Sequence, residues 1–176
     1  MNNIFQIEDL FSQEVFDNIC DEFEKYPWAF TAKETHPTDV PLRTFWYKEL
    51  KDSKYIEDTF KKVVEDKFNK KVESFRLYGN GQSHGQSAWV HHDAPQNAND
   101  TDWWTIVYYL HKDWKPYYGG HLIFVDVQTD KVIHSVFPHT NSAILFNSKL
   151  WHCALEPTVY CTTQRLSIAY KFKLKD

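Results

Sequence analysis

Apolar residues recur at two different periods along the 176-residue chain, and the change of period divides it. In "SQEVFDNICDEFEKY" (12–26), Val15, Phe16, Ile19, Cys20 and Phe23 return every three or four positions, which predicts one buried face of an α-helix. Ser12 stands where an N-cap accepts a backbone N–H, and Pro27 helps to end the segment. "SKYIEDTFKKVVEDKF" (53–68) repeats the design, with Ser53 as cap and Ile56, Phe60, Val63, Val64 and Phe68 as the stripe. The charged residues between these positions form the solvated side of an amphipathic helix and need no other role. The intervening "AFTAKETHPTDVPLRTFWY" is mixed and proline-containing, and reads as loop and strand.

After residue 71 the character changes. The β-prone runs "VESFRLY", "SAWVHH", "WWTIVYYL", "GHLIFVDV", "KVIHSVF", "AILFN" and "LSIAYKFKL" alternate with turns, and no long helical stripe interrupts them. Such a succession predicts an antiparallel sandwich or barrel. The expected fold is mainly β (α+β): a jelly-roll-like or cupin-like barrel with the N-terminal helices packed on one face. The length fits one domain over residues 1–176, with a helical cover over about 1–70 and a β-barrel core over about 71–175.

Charge narrows the partners. The formal net charge is −4 and no basic patch stands out, which argues against nucleic acid. The longest apolar runs, such as "AILF", are far shorter than a membrane span. "MNNIFQIEDLF" has no basic segment followed by an apolar core, so no secretory signal is read and a cytoplasmic location is expected. Cys20, Cys153 and Cys161 are odd in number and lack a Cys-x-x-Cys pair, which reads as reduced thiols.

The candidate chemistry lies in "SAWVHHDAP" (87–95). On a strand, side chains alternate faces, so His91 and Asp93 share a side with Trp89 while His92 points away. An imidazole and a carboxylate two residues apart can hold one metal ion. His152, in "NSKLWHCALEP", is the candidate third ligand from another strand. Two His and one carboxylate on one face of a metal leave positions open, as at non-haem Fe(II). In "QRLSIAYKF", Leu166, Ile168 and Tyr170 alternate with Arg165, Ser167 and Ala169. If the apolar set packs on the helices, Arg165 and Ser167 point inward, where an unpaired guanidinium is costly. Asp93 could meet it. A dicarboxylate would do so with two parallel hydrogen bonds, a geometry that suits Arg.

These residues, in this order, resemble the Fe(II)- and 2-oxoglutarate-dependent dioxygenases, in particular the compact prolyl 4-hydroxylase-like branch. The resemblance covers most of the chain. It rests on the opening "IFQIEDLFSQEVFDNICDEF", "YGNGQ" at 78–82, "HHD" at 91–93, "TIVYYL" at 105–110, "GG" at 119–120, "FPHTNSAILF" before His152, and "RLS" at 165–167. It implies a double-stranded β-helix and an enzyme that hydroxylates an unactivated C–H bond, with succinate and CO2 as coproducts. It implies that His91, Asp93 and His152 hold Fe(II), and that Arg165 pairs with the far carboxylate of 2-oxoglutarate. Tyr78 and Thr105 would hydrogen-bond the same carboxylate, and Ser167 would lie beside it. The implied cofactors are Fe(II), 2-oxoglutarate as cosubstrate, O2, and ascorbate as an accessory.

Three departures qualify the branch. Prolyl 4-hydroxylases generally carry Lys at the place of Arg165, which weakens the prolyl assignment but not cosubstrate binding. Three extra residues separate "YGNGQ" from the metal segment. His121 follows Gly-Gly where the family often has Glu. The carboxylate at Asp93 argues against a halogenase. The expected substrate is a prolyl or other residue of a peptide or protein, with a free amino acid or small metabolite second. A cupin-like metal-binding module without activity, and a purely structural β-domain, are the competing classes. Trp89, Trp103, Trp114, Tyr117 and Tyr118 are candidates for a substrate groove, and "HKDWKPYYGG" reads as a lid or a solvated turn.

Overall fold

The computed structural model describes residues 3–33, 44–96, 98 and 101–175. Two helices form where the apolar stripes predict them: α1 at Gln13–Glu24 and α2 at Lys54–Phe68. Ser12 and Ser53 cap them, each side chain accepting the N–H three residues on, at 3.4 Å. Asn69 ends α2 in the left-handed conformation.

A major sheet has the strand order β1 (Ile4–Ile7), β8 (Ala143–Asn147), β5 (Trp103–Tyr109), β10 (Arg165–Leu174), β4 (Val72–Gln82), β3 (Thr44–Glu49), β2 (Ala29–Lys33). A minor sheet has the order β7 (Lys131–Val136), β6 (Leu122–Asp126), β9 (His152–Ala154). Among the described residues all strand pairings in both sheets are antiparallel. The first 70 residues thus supply three strands of the major sheet besides the two helices, so the sheet extends beyond the boundary expected near residue 71.

Alternation along the central strands divides the core. On β5 and β10, Trp104, Ile106, Tyr108, Ile168, Tyr170 and Phe172 pack with Phe16, Ile19, Phe23, Ile56, Phe60 and Val64 of the helices. The opposite face carries Val107, Tyr109 and Ala169, which pack with Leu122, Phe124, Val136, Ile144 and Phe146 between the two sheets. Gly79 makes the helix layer possible: a Cβ there would lie 2.4 Å from the Phe23 ring. Among the described residues no helix is long and apolar enough to cross a membrane, and no disulfide links the cysteines.

One expected strand is absent. "SAWVHH" is irregular, joined to the minor sheet through an isolated bridge between His91 and His152 and a hydrogen bond from the Ala88 N–H to the Ala154 carbonyl at 2.9 Å. Its neighbour β9 is three residues long, too short for a continuous ladder, and Pro95 lacks the N–H to extend one.

Candidate active site

The irregular segment is held at a few points, and those points place two of the expected ligands. His91 and His152 exchange backbone hydrogen bonds at 2.9 and 2.8 Å. The N–H groups of Asp93 and Ala94 both donate to the Ser148 carbonyl, at 2.8 and 2.9 Å. His91, Asp93 and His152 consequently converge, each offering one donor atom within 4.8 Å of the others. The inward sharing of His91 and Asp93 thus holds, although a few anchors set it instead of a regular strand. His92 turns toward Trp151, its ring edge-on at 4.9 Å.

The protonation pattern suits a metal. His91 Nδ1 lies 2.7 Å from the Trp89 carbonyl and His152 Nδ1 lies 2.8 Å from the Leu150 carbonyl. A carbonyl only accepts, so each Nδ1 carries the hydrogen and each Nε2 keeps a lone pair for the site. Burial pushes the His152 imidazole down to about 4, so it is neutral near pH 7. Burial would raise the Asp93 carboxyl, but the neighbouring His152 and His91 imidazoles and the Lys171 ammonium hold it well below the usual carboxylate range. Two imidazoles with Nε2 facing the site and one carboxylate form a donor set that fits Fe(II). Thr105 donates to Asp93 Oδ2 at 2.9 Å and lies 2.8 Å from the Ser148 hydroxyl. Lys171 Nζ forms an ion pair with Asp93 Oδ1 at 2.6 Å.

Behind this triad, the inward faces of β4 and β10 form a ladder. Gln82 lies opposite Arg165, Asn80 opposite Ser167, Tyr78 opposite Ala169, and Arg76 opposite Lys171. All eight line a cavity of about 780 Å³ together with the three candidate ligands. Arg165 is 1% exposed. It donates to the Gly120 carbonyl at 2.6 Å and to Gln82 Oε1 at 2.9 Å, with the Tyr109 hydroxyl 3.5 Å away. All these acceptors are neutral, so the buried guanidinium has no counter-charge in its hydrogen bonds. Gly120 admits it: a Cβ there would stand 3.0 Å from Arg165 Cδ, and φ is +72°. Asn80 Oδ1 is buried without a hydrogen-bond partner. Ser167 and Ala169, both small, keep the floor open between the two long cations.

The expected site residues are therefore brought together, with one difference. Thr105 is fully buried, does not line the cavity, and directs its hydroxyl at Asp93. Its hydroxyl is thus engaged by Asp93, one of the three candidate ligands, and not by Arg165. The hydroxyl that does approach Arg165 is that of Tyr109, four residues on and on the same face of β5. Gln82, Lys171 and Arg76 were also missed by reading the sequence, though Gln82 follows Tyr78, and Lys171 follows Arg165, at even spacing. Of the candidate groove aromatics, Trp89 lines the cavity. Trp114 is buried, stacks on His111 at 4.1 Å and donates to the Gly119 carbonyl at 3.0 Å. The loop that read as a lid or turn is therefore pinned down as the wall behind Arg165.

Comparison with known proteins agrees with this geometry. The model of the 2OG-Fe(II) oxygenase superfamily matches residues 74–173. No curated protein matches the chain in sequence. Among solved structures, a Pseudomonas putida prolyl-4-hydroxylase is similar over 99% of this chain and 94% of its own, at 17% identity and a TM-score of 0.69. A Trichoplax adhaerens prolyl hydroxylase, in complex with a hypoxia inducible factor peptide fragment, is similar over 98% and 84%, at 15% identity and a TM-score of 0.74. HygX from Streptomyces hygroscopicus, with nickel and 2-oxoglutarate bound, is similar over 97% and 82%, at 13% identity and a TM-score of 0.64. These neighbours share the double-stranded β-helix fold.

Proposed function

The chain belongs to the 2OG-Fe(II) oxygenase superfamily, and on that premise we propose that it hydroxylates an aliphatic C–H bond in a residue of a peptide or protein, prolyl or other. It is a dioxygenase using Fe(II), 2-oxoglutarate and O2. Bound Fe(II) and 2-oxoglutarate supply the oxidising chemistry, with succinate and CO2 as coproducts; the protein's part is geometry.

His91 and His152 would hold the metal through Nε2 and Asp93 through a carboxylate oxygen. The carbonyls of Trp89 and Leu150 orient the two rings, and Thr105 orients the carboxylate. Arg165 would bind the far carboxylate of 2-oxoglutarate, with Tyr109 as a second donor. Tyr78 and Ser167 line the space between. Phe124 and Phe146, 5.9 and 4.7 Å from the His152 ring, would shield a metal held there from water on the side of the core. The whole chain would act as one domain.

The observation that carries this reading is one cavity with a His-Asp-His donor set on its wall and a buried arginine that lacks a counter-charge. Phe45, Tyr47, Trp89 and Trp151 also line the cavity and offer aromatic surface to a peptide side chain. A free amino acid or small metabolite is the second reading, favoured by the cations Arg76 and Lys171 on the same wall.

Anaerobic addition of Fe(II) and then 2-oxoglutarate tests the site. A weak visible charge-transfer band is expected, absent in Asp93→Ala and His152→Ala while their circular dichroism stays native. Iron binding without the band would refute the role of Arg165. A band that persists in both variants would refute the triad.

A further inference from the structure

One arrangement on the cavity wall is unfavourable for folding. Arg76 and Lys171 stand directly opposite each other on neighbouring strands, and both face the cavity. Like charges directly opposed in an antiparallel pair destabilise it. Arg76 has no carboxylate at ion-pair distance among the described residues; its guanidinium lies over the rings of Tyr78 and Tyr47, at 4.4 and 5.7 Å. The carboxylate whose charge reaches it, Glu49, accepts the Tyr47 hydroxyl at 2.8 Å. Lys171 lies against the same Tyr78 ring, 5.4 Å from its centroid, and its carboxylate partner is Asp93.

We infer that Arg76 and Lys171 recognise an anionic group, a carboxylate or a phosphate, on the substrate itself. The inference rests on the function proposed above, because that function commits Asp93 to the metal and Arg165 to the cosubstrate. Among the described residues Asp93 is the sole acid lining the cavity. Once its charge is shared with a dication, Lys171 and Arg76 face the open part of the cavity with no second acid among the described lining residues. A substrate anion between them replaces repulsion across the ladder with two charge-assisted contacts. Arg76 offers a planar fork and Lys171 a point charge, both in a partly desolvated wall where such bonds are strong. Tyr47 and Tyr78, stacked at 5.6 Å, supply an apolar face for the carbon chain beside that anion. Locally unfavourable arrangements that persist in a folded protein concentrate at functional sites.

The test uses the full chain loaded with Mn(II) and 2-oxoglutarate, titrated calorimetrically with L-glutamate, L-glutaminamide, which carries no carboxylate, and inorganic phosphate. At least one anion is expected to bind about tenfold or more tighter than glutaminamide, the scale of one charged hydrogen bond. R76Q, at an exposed position, is expected to lose that preference while binding Mn(II) and 2-oxoglutarate as the wild type does. K171Q is expected to lose it too, while holding Mn(II) at least as tightly, since a competing cation has left Asp93. Glutamate binding without phosphate assigns a carboxylate, and the reverse assigns a phosphate. Equal binding of all three probes, no binding of either anion, or a preference that survives in R76Q overturns the inference. Failure of Mn(II) or 2-oxoglutarate to bind the wild type appears in the loading titrations, before any probe is added, and overturns the proposed function instead.

Discussion

The two ends of the inward ladder on β4 and β10 each present a cation, and they are built in opposite ways. At one end Arg165 is sealed, gripped by the Gly120 carbonyl, Gln82 and the Tyr109 hydroxyl, all neutral. At the other, Arg76 is exposed and Lys171 is 12% exposed, and the carboxylate that pairs with Lys171 also belongs to the candidate metal triad. A sealed cation with neutral supports keeps one geometry and waits for a single charged partner. An open cation that shares a carboxylate with another role can change partners. The difference suggests which end holds the invariant cosubstrate and which end selects the substrate.

The sealed end gives the largest expected effect. Arg165→Ala removes a buried, hydrogen-bonded charge and should raise the 2-oxoglutarate concentration needed for the charge-transfer band about 100-fold or more. Metal retention, measured by equilibrium dialysis, should change far less. An unchanged 2-oxoglutarate requirement would mean that the buried guanidinium is only structural.

Thr105→Val tests the support behind the metal. It removes the hydrogen given to Asp93 Oδ2 while nearly conserving shape. Loss of such a supporting bond typically costs about 10- to 100-fold in metal affinity. Cosubstrate affinity at saturating metal should stay the same; a selective loss of 2-oxoglutarate binding would restore Thr105 to the cosubstrate.

Tyr109→Phe should act on the sealed end alone, and more weakly. A neutral hydroxyl at 3.5 Å from Arg165 corresponds to roughly a three- to tenfold rise in the 2-oxoglutarate requirement. Equal effects of Tyr109→Phe and Arg165→Ala would erase the distinction between anchor and support.

The smallest effect is on stability. His111 accepts the Leu166 N–H at 2.9 Å, and burial, with the charge of Arg165, pushes its imidazole down to about 3. The unfolded chain takes up this proton more readily than the folded one. The stabilisation is therefore complete above pH about 6.5 and is lost progressively as pH falls toward about 3, with a limiting slope of about 1.4 kcal/mol per pH unit. His111→Gln keeps an acceptor and should flatten the fall in urea midpoint between pH 7 and pH 5. His152, with the same sign, leaves a residual slope in metal-free protein. An unaltered slope would show that His111 titrates normally.

Period alone made much of this fold legible. The stripes of α1 and α2 and the alternation on β10 placed Arg165 and Ser167 inward and Ile168 and Tyr170 against the helices, as found. What failed to show were features set by tertiary contact. Nothing local in "SAWVHH" reveals that its partner strand has three residues, so a regular strand was expected where a few backbone bonds hold an irregular one. Thr105 and Tyr109 share a face, and only the position of Asp93 determines which hydroxyl serves the metal side. Lys171 follows the same alternation as Arg165, but lysine near a strand end reads as solvated surface. Its ion pair with Asp93 depends on a loop almost 80 residues earlier in the sequence.

The reciprocal backbone bonds between His91 and His152 carry one more consequence. Two of the three candidate ligands are each other's main-chain partners, in a place with almost no other pairing to hold the strands together. A metal ion gripped by both side chains ties that seam shut from the inside. The two amides then serve as a built-in occupancy gauge: their hydrogen exchange should slow sharply when the metal is loaded and quicken when a chelator removes it, while amides in the middle of β5 and β10 exchange at the same rate throughout.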